Sequence, residues 1–154
     1  MWPQPEPEPV VQDTLLIDII SRDVEWIDTD EIGDIGAFAF CDCTKLTRID
    51  LSKGDWVMIG ESAFAGCYRL QAAVFPTLMV VDNLAFDSCS ALTRVVFWDV
   101  AQGEPFVGDN VFYDTPIAQG EGYIYVPARR LAQAKELFWQ YEDQVRAIED
   151  GYLK

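Results

Sequence analysis

Histidine occurs nowhere in these 154 residues. Its absence removes the side chain that most often serves as a general base, and with it every serine–histidine or cysteine–histidine couple. Basic residues are scarce: 11 Lys and Arg against 26 Asp and Glu give a formal charge of −15. A surface this acidic repels nucleic-acid phosphates and anionic lipid headgroups, so neither is expected as a partner. No apolar run approaches the ~18 residues that would cross a bilayer, so membrane insertion is not expected either. Met1-Trp2-Pro3-Gln4-Pro5-Glu6-Pro7-Glu8-Pro9 lacks the basic and apolar regions of a signal peptide, and none is expected in this chain. Phosphate loops and dinucleotide fingerprints are missing, and Gly60-Glu61-Ser62-Ala63-Phe64 lacks the final glycine of a nucleophile elbow. Asp28-Thr29-Asp30-Glu31-Ile32-Gly33 begins like a calcium loop. Ile32 stands where a ligand oxygen is required, however, and Ala39 where the closing glutamate belongs. Cys41-Asp42-Cys43 is not a Cys-x-x-Cys pair, and no second pair follows at ligand spacing. The expectation is no catalytic residue, no metal and no cofactor, with a pair of carboxylates the catalytic class left open.

What the chain has instead is self-similarity. Ile35-Gly36-Ala37-Phe38-Ala39-Phe40-Cys41-Asp42-Cys43-Thr44-Lys45-Leu46 recurs as Ile59-Gly60-Glu61-Ser62-Ala63-Phe64-Ala65-Gly66-Cys67-Tyr68-Arg69-Leu70. It recurs again as Val81-Asp82-Asn83-Leu84-Ala85-Phe86-Asp87-Ser88-Cys89-Ser90-Ala91-Leu92. Cys43, Cys67 and Cys89 are spaced by 24 and 22 residues. A unit this short cannot bury its own apolar face, so neighbouring units must stack into a common core. Val107-Gly108-Asp109-Asn110-Val111-Phe112-Tyr113-Asp114-Thr115 is a degenerate fourth copy, with Thr115 in the cysteine position; Asp82 departs from the usual Gly.

Period-two alternation after each cysteine sends Leu46, Leu70 and Leu92, then Ile49, Ala73 and Val95, then Leu51, Phe75 and Phe97 inward. This reads as one short parallel strand per turn. The Gly-x-x-Ala-Phe stretch reads as a short helical or 3₁₀ turn, with Phe40, Phe64, Phe86 and Phe112 stacked as an aromatic spine. The cysteines read as buried free thiols behaving as small hydrophobes, with no disulfide expected.

The unit Ile-Gly-x-x-Ala-Phe-x-x-Cys-x-x-Leu-x-x-Ile-x-Leu resembles the BspA-like leucine-rich repeats of bacterial surface and phage-associated proteins. The likeness covers roughly residues 32–127. Tyr123-Ile124-Tyr125-Val126-Pro127, followed by Phe138-Trp139-Gln140-Tyr141, resembles the C-terminal end of such proteins in gut bacteria and their prophages. Leu15 to Ile27 is similar to the leader of phage-encoded examples. The expected fold is an α/β repeat: a leucine-rich-repeat solenoid with an N-terminal β cap and a C-terminal α-helical cap. The expected organisation is an extended Pro/Glu-rich arm at 1–14, the N-terminal cap at 15–34, repeats at 35–127 and the capping helix at 128–154. In that helix Leu131, Ala134, Phe138, Tyr141, Val145 and Ile148 form one apolar stripe.

Charge is unevenly placed. In 128–154 the basic Arg129, Arg130, Lys135, Arg146 and Lys154 are matched by Glu136, Glu142, Asp143, Glu149 and Asp150, so the acidic excess lies in 1–127. The outward strand positions read Arg48, Ala72 and Arg94, then Asp50, Val74 and Val96, then Ser52, Pro76 and Trp98. Val74, Val96 and Trp98 beside Arg94 make a candidate exposed patch for a protein partner, unless the 99–106 loop covers it. Arg48 belongs to the same candidate interface, and Trp2 is a candidate anchor at the tip of the arm. The resemblance implies a non-enzymatic binding or structural protein, most concretely a virion component at a particle or extracellular surface. The alternative is an adhesin domain binding host or bacterial proteins. Partners are expected to be virion subunits, a surface receptor, or further copies of this chain.

Overall fold

The computed structural model describes residues 25–28, 30 and 33–150. The arm with Trp2, and the Leu15–Ile20 strand expected in the N-terminal cap, lie outside the described residues. In chain order the strands are β1 (Trp26–Asp28), β2 (Asp34–Ile35), β3 (Arg48–Asp50), β4 (Trp56–Ile59), β5 (Ala72–Val81), β6 (Arg94–Val100), β7 (Phe106–Val107) and β8 (Tyr123–Val126). A helix α1 (Leu131–Leu137) and a strand β9 (Val145–Ala147) follow among the described residues.

Among the described residues every strand pairing is parallel. One ladder runs β1-β3-β5-β6-β8-β9. Its inward row is Ile27, Ile49, Ala73, Val95, Ile124 and Val145, all buried. The expectation of one strand per turn is corrected: a second ladder, β2-β4-β5-β7, runs alongside. Its inward row is Ile35, Ile59, Val81 and Val107. Two strands per turn follow from a second short alternation, Val57 and Ile59 buried with Met58 between them half-buried. In β5 the two ladders merge, and the register shifts between Val57 and Met58 where Met79 is passed over. Part of the stretch read as a 99–106 loop is strand, since β6 runs to Val100 and β7 starts at Phe106.

The third side of each turn is neither α nor 3₁₀ helix. Ala39 N–H donates to Gly36 O at 3.2 Å and Cys43 N–H to Phe40 O at 3.1 Å. The third residues of these two turns, Phe38 and Asp42, both have φ of 60°. A positive φ there with a four-residue closure is type II turn geometry. Ser62, Leu84 and Asn110 repeat the first left-handed position; Gly66, Ser88 and Asp114 repeat the second. Each non-glycine residue so held costs about 1–2 kcal/mol. The compensation is a third hydrogen-bonded ladder between turns. Phe40 N–H donates to Ala63 O at 2.7 Å, Phe64 N–H to Ala85 O at 2.8 Å and Phe86 N–H to Val111 O at 2.9 Å. Close stacking also explains Gly60: a Cβ there would lie 2.7 Å from Ala37 N of the preceding turn.

The interior is the expected one. Phe40, Phe64, Phe86 and Phe112 are fully buried, with successive ring centroids 4.9, 5.0 and 5.4 Å apart. Phe75 and Phe97 form a second stack at 5.3 Å. Cys43, Cys67 and Cys89 are buried thiols, none of them in a disulfide. Cys67 Sγ donates to Phe40 O at 3.1 Å and Cys89 Sγ to Phe64 O at 3.0 Å, each reaching back one turn. Burial, with Cys67 beside it, pushes the Cys89 thiol well above its ordinary pKa. Thr115, in the cysteine position, instead donates to Phe112 O of its own turn at 2.7 Å.

The single C-terminal helix is also corrected. Helix α1 stops at Leu137, Phe138 adopts φ −97° and ψ 46°, and residues 139–144 continue as 3₁₀ turns. Val145 then lies in β9, paired with Ile124 of β8. A continuous helix would leave β8 as an unpaired parallel edge, whereas β9 satisfies its backbone groups. The start of the stripe does pack as expected: Ala134 and Phe138 are buried, and Leu131 and Tyr141 lie against the core. Phe138 sits 6.0 Å from Phe97 and 6.1 Å from Phe112, at the end of both aromatic stacks.

Candidate protein-recognition face

Alternation along the first ladder leaves one row of side chains pointing away from the core. Register places Trp26, Arg48, Ala72, Arg94 and Tyr123 side by side on β1, β3, β5, β6 and β8. Trp26, Arg48 and Arg94 are exposed, while Ala72 and Tyr123 are half-buried. Neighbouring parallel strands lie about 4.8 Å apart, so this is a flat strip of aromatic and guanidinium groups. The sequence flagged Arg48 and Arg94 but missed Trp26 and Tyr123. The signal was there: Trp26-Ile27-Asp28 copies the pattern of Arg48-Ile49-Asp50.

The next outward row is Asp28, Asp50, Val74, Val96, Tyr125 and Arg146. Acidic groups at its start hold the neighbouring cations. Arg48 Nη2 lies 3.2 Å from Asp50 Oδ2, and Lys53 Nζ lies 3.4 Å from Asp28 Oδ1. Ser52 Oγ donates to Asp50 Oδ1 at 2.6 Å, fixing that carboxylate. At the other end Arg146 stacks 4.9 Å above the centroid of the Tyr123 ring.

The expected Val74–Val96–Trp98 patch is corrected. Val74 and Val96 are buried, in a small second cluster with Tyr125 and Ile148. Outward position on a strand does not ensure exposure when the chain returns across the same face, as the residues after β9 do here. Trp98 is 39% exposed. Of the sequence-proposed interface residues, Arg48, Arg94 and Trp98 are accessible; Trp2 lies outside the described residues.

Asp99, at the end of β6, ties the strand to the C-terminal segment. Arg130 Nε donates to Asp99 Oδ1 at 2.8 Å and Arg129 Nη2 to Oδ2 at 3.2 Å. Burial alone would raise this carboxyl, but the bonds from Arg130 and the Val100 N–H, with both guanidinium charges, hold it below its ordinary value. Asp34 shifts the other way, raised by burial. Asp34 and Asp99 are perturbed in opposite directions, and no group of three or more Cys, Asp or Glu suited to a metal ion occurs among the described residues. No helix among them is long and apolar enough to cross a membrane.

Comparison with known proteins agrees with this geometry. No curated protein and no solved structure matches the chain. The family described as the BspA type leucine-rich repeat region matches residues 23–121 in six copies. That match begins in the stretch expected to be the N-terminal cap, where β1 already pairs in register with β3. With its recurrent phenylalanine spine, parallel ladders and matched repeats, the chain belongs to the BspA-type leucine-rich repeat family.

Proposed function

We propose that this chain is a non-enzymatic recognition module. Its turns form a solenoid, the segment after residue 127 closes that solenoid as a cap, and the first ladder presents the binding face. The observation that carries this reading is the outward row Trp26–Arg48–Ala72–Arg94–Tyr123, set on adjacent strands over a dry core. Tryptophan, tyrosine and arginine are the residues that most often dominate protein interfaces. Rigid strands hold them without the ordering cost that a loop would incur. Two arginines in a chain of net charge −15 are locally conspicuous and would orient an acidic partner against the row.

The setting we favour is a phage particle, with the module as a decoration, fibre or tail appendage. The resemblance of the 15–27 leader and the 123–141 segment to phage-encoded proteins supports it. Affinity purification of assembled particles, followed by crosslinking from the Arg94 strand, tests both parts. The expected result is that the protein travels with particles and crosslinks to one neighbour, and that Arg48→Glu with Arg94→Glu abolishes the crosslink. Its absence from particles overturns the virion setting. An unchanged crosslink in the double variant overturns the assigned face.

A further inference from the structure

Away from the strand face, residues 117–120 and 139–144 enclose a cleft of about 400 Å³. Trp139 lines it and is 65% exposed, more than any other exposed large apolar side chain among the described residues. The rest of the wall is mostly planar and polar: Gln119, Glu142, Asp143 and Gln144. Gln144 Nε2 donates to Gly122 O at 2.7 Å, which locks that amide plane in the wall. Tyr141 and Gln140 are likewise fixed, by bonds to Phe112 and Asn110. At Gly120, with φ of +83°, nothing lies within 4 Å of a Cβ position, so the mouth stays open.

We infer that this cleft binds a neutral carbohydrate, one or two pyranose rings in size. An exposed indole offers a flat apolar surface on which the C–H face of a sugar ring can lie. Amides and carboxylates beside it supply paired acceptors and donors matched to neighbouring ring hydroxyls. The volume falls within the range of small-ligand sites. No Lys or Arg lines the cleft, which disfavours phosphorylated, sulfated or carboxylated sugars. A cationic ligand is the rival, but Glu142 and Asp143 are solvent-exposed, where pairing with a cation gains little. The inference is independent of the strand-face reading, because the cleft shares no residue with that row.

The test uses the full chain labelled with ¹⁵N and titrated with methyl β-galactoside, methyl α-mannoside, N-acetylglucosamine, lactose and chitobiose. At least one should move the Trp139 indole resonance and the amides of 117–120 and 142–144 saturably in the millimolar range. Trp139→Ala and Gln119→Ala should weaken that sugar by about tenfold or more while leaving the unfolding midpoint unchanged. Arg94→Glu should leave it unaffected. Three results overturn the proposal: no sugar shifting these resonances, equal shifts at Trp26 and Trp98, or a response to N-acetylarginine amide or tetramethylammonium in place of the sugars.

Discussion

The phenolic oxygen of Tyr141 accepts a hydrogen bond from the backbone N–H of Phe112 at 3.2 Å. In the turns before it, the corresponding N–H groups of Phe40, Phe64 and Phe86 donate to a carbonyl of the following turn. Among the described residues no further turn follows Phe112, and the side chain of Tyr141 accepts from its N–H instead. Gln140 does the same two residues earlier, its Oε1 accepting from Asn110 N–H at 2.7 Å. Burial raises the Tyr141 hydroxyl above its ordinary pKa, while the Phe112 N–H pulls the other way. It therefore stays a neutral phenol at physiological pH. Tyr141→Phe should cost about 1 kcal/mol, and more if the Phe112 N–H is left without water. Urea unfolding monitored by circular dichroism measures it; an unchanged midpoint would mean that the ladder needs no closing group.

Phe64 lies between Phe40 and Phe86 with parallel rings on both sides. Phe64→Ala should destabilise by about 3–5 kcal/mol, because stacked turns cannot collapse into the cavity without breaking their ladders. Phe38→Ala, in the preceding turn and with 57% of the residue exposed, should cost far less. Comparable losses in the two variants would contradict the stacked interior.

Thiol chemistry separates the column from its neighbour. Cys43, Cys67 and Cys89 are buried, while Cys41 is half-exposed. A thiol-reactive chromophore should label Cys41 in the native protein and reach the other three on unfolding. The raised pKa of Cys89 adds to its protection, since the thiolate is the reactive form. Rapid modification of all four without denaturant would show that the core opens.

The depressed Asp99 carboxyl makes a signed prediction about pH. Its folded-state pKa lies below its unfolded one. Its stabilising contribution is therefore complete above the ordinary carboxylate range and is lost as pH falls through the folded value. Asp99→Asn should be less stable than the parent at pH 7, with the gap closing in acid. Because Asp99 is partly exposed and its partners are surface arginines, the gap should also shrink in high salt.

Binding at the strand face should respond to Arg94 and Trp26 together. Arg94→Ala and Trp26→Ala should each weaken an identified partner while leaving thermal stability within a degree or two, as expected for exposed positions. Surface plasmon resonance against the crosslinked neighbour measures this. Loss of folding in either variant would assign that residue to the core.

The repeat and its interior were legible in the amino-acid order because burial imposes a period. Phe40, Phe64, Phe86 and Phe112 recur at one position, and each must be dry for the turns to stack. The inward Ile49, Ala73 and Val95 obeyed the same rule. Three features had no such signature. The second ladder rests on strands of two to four residues, too short for periodicity to separate from loop until β5 joins them. The apolar stripe at 131–148 suited a helix, yet an open edge on β8 drew Val145–Ala147 into pairing, because an unmet row of backbone groups outweighs local helix preference. Val74 and Val96 carried the outward positions of exposed residues, but Tyr125 and Ile148 pack against them. Order along the chain thus determined what had to be buried; which outward faces remained open depended on where the returning chain came to rest.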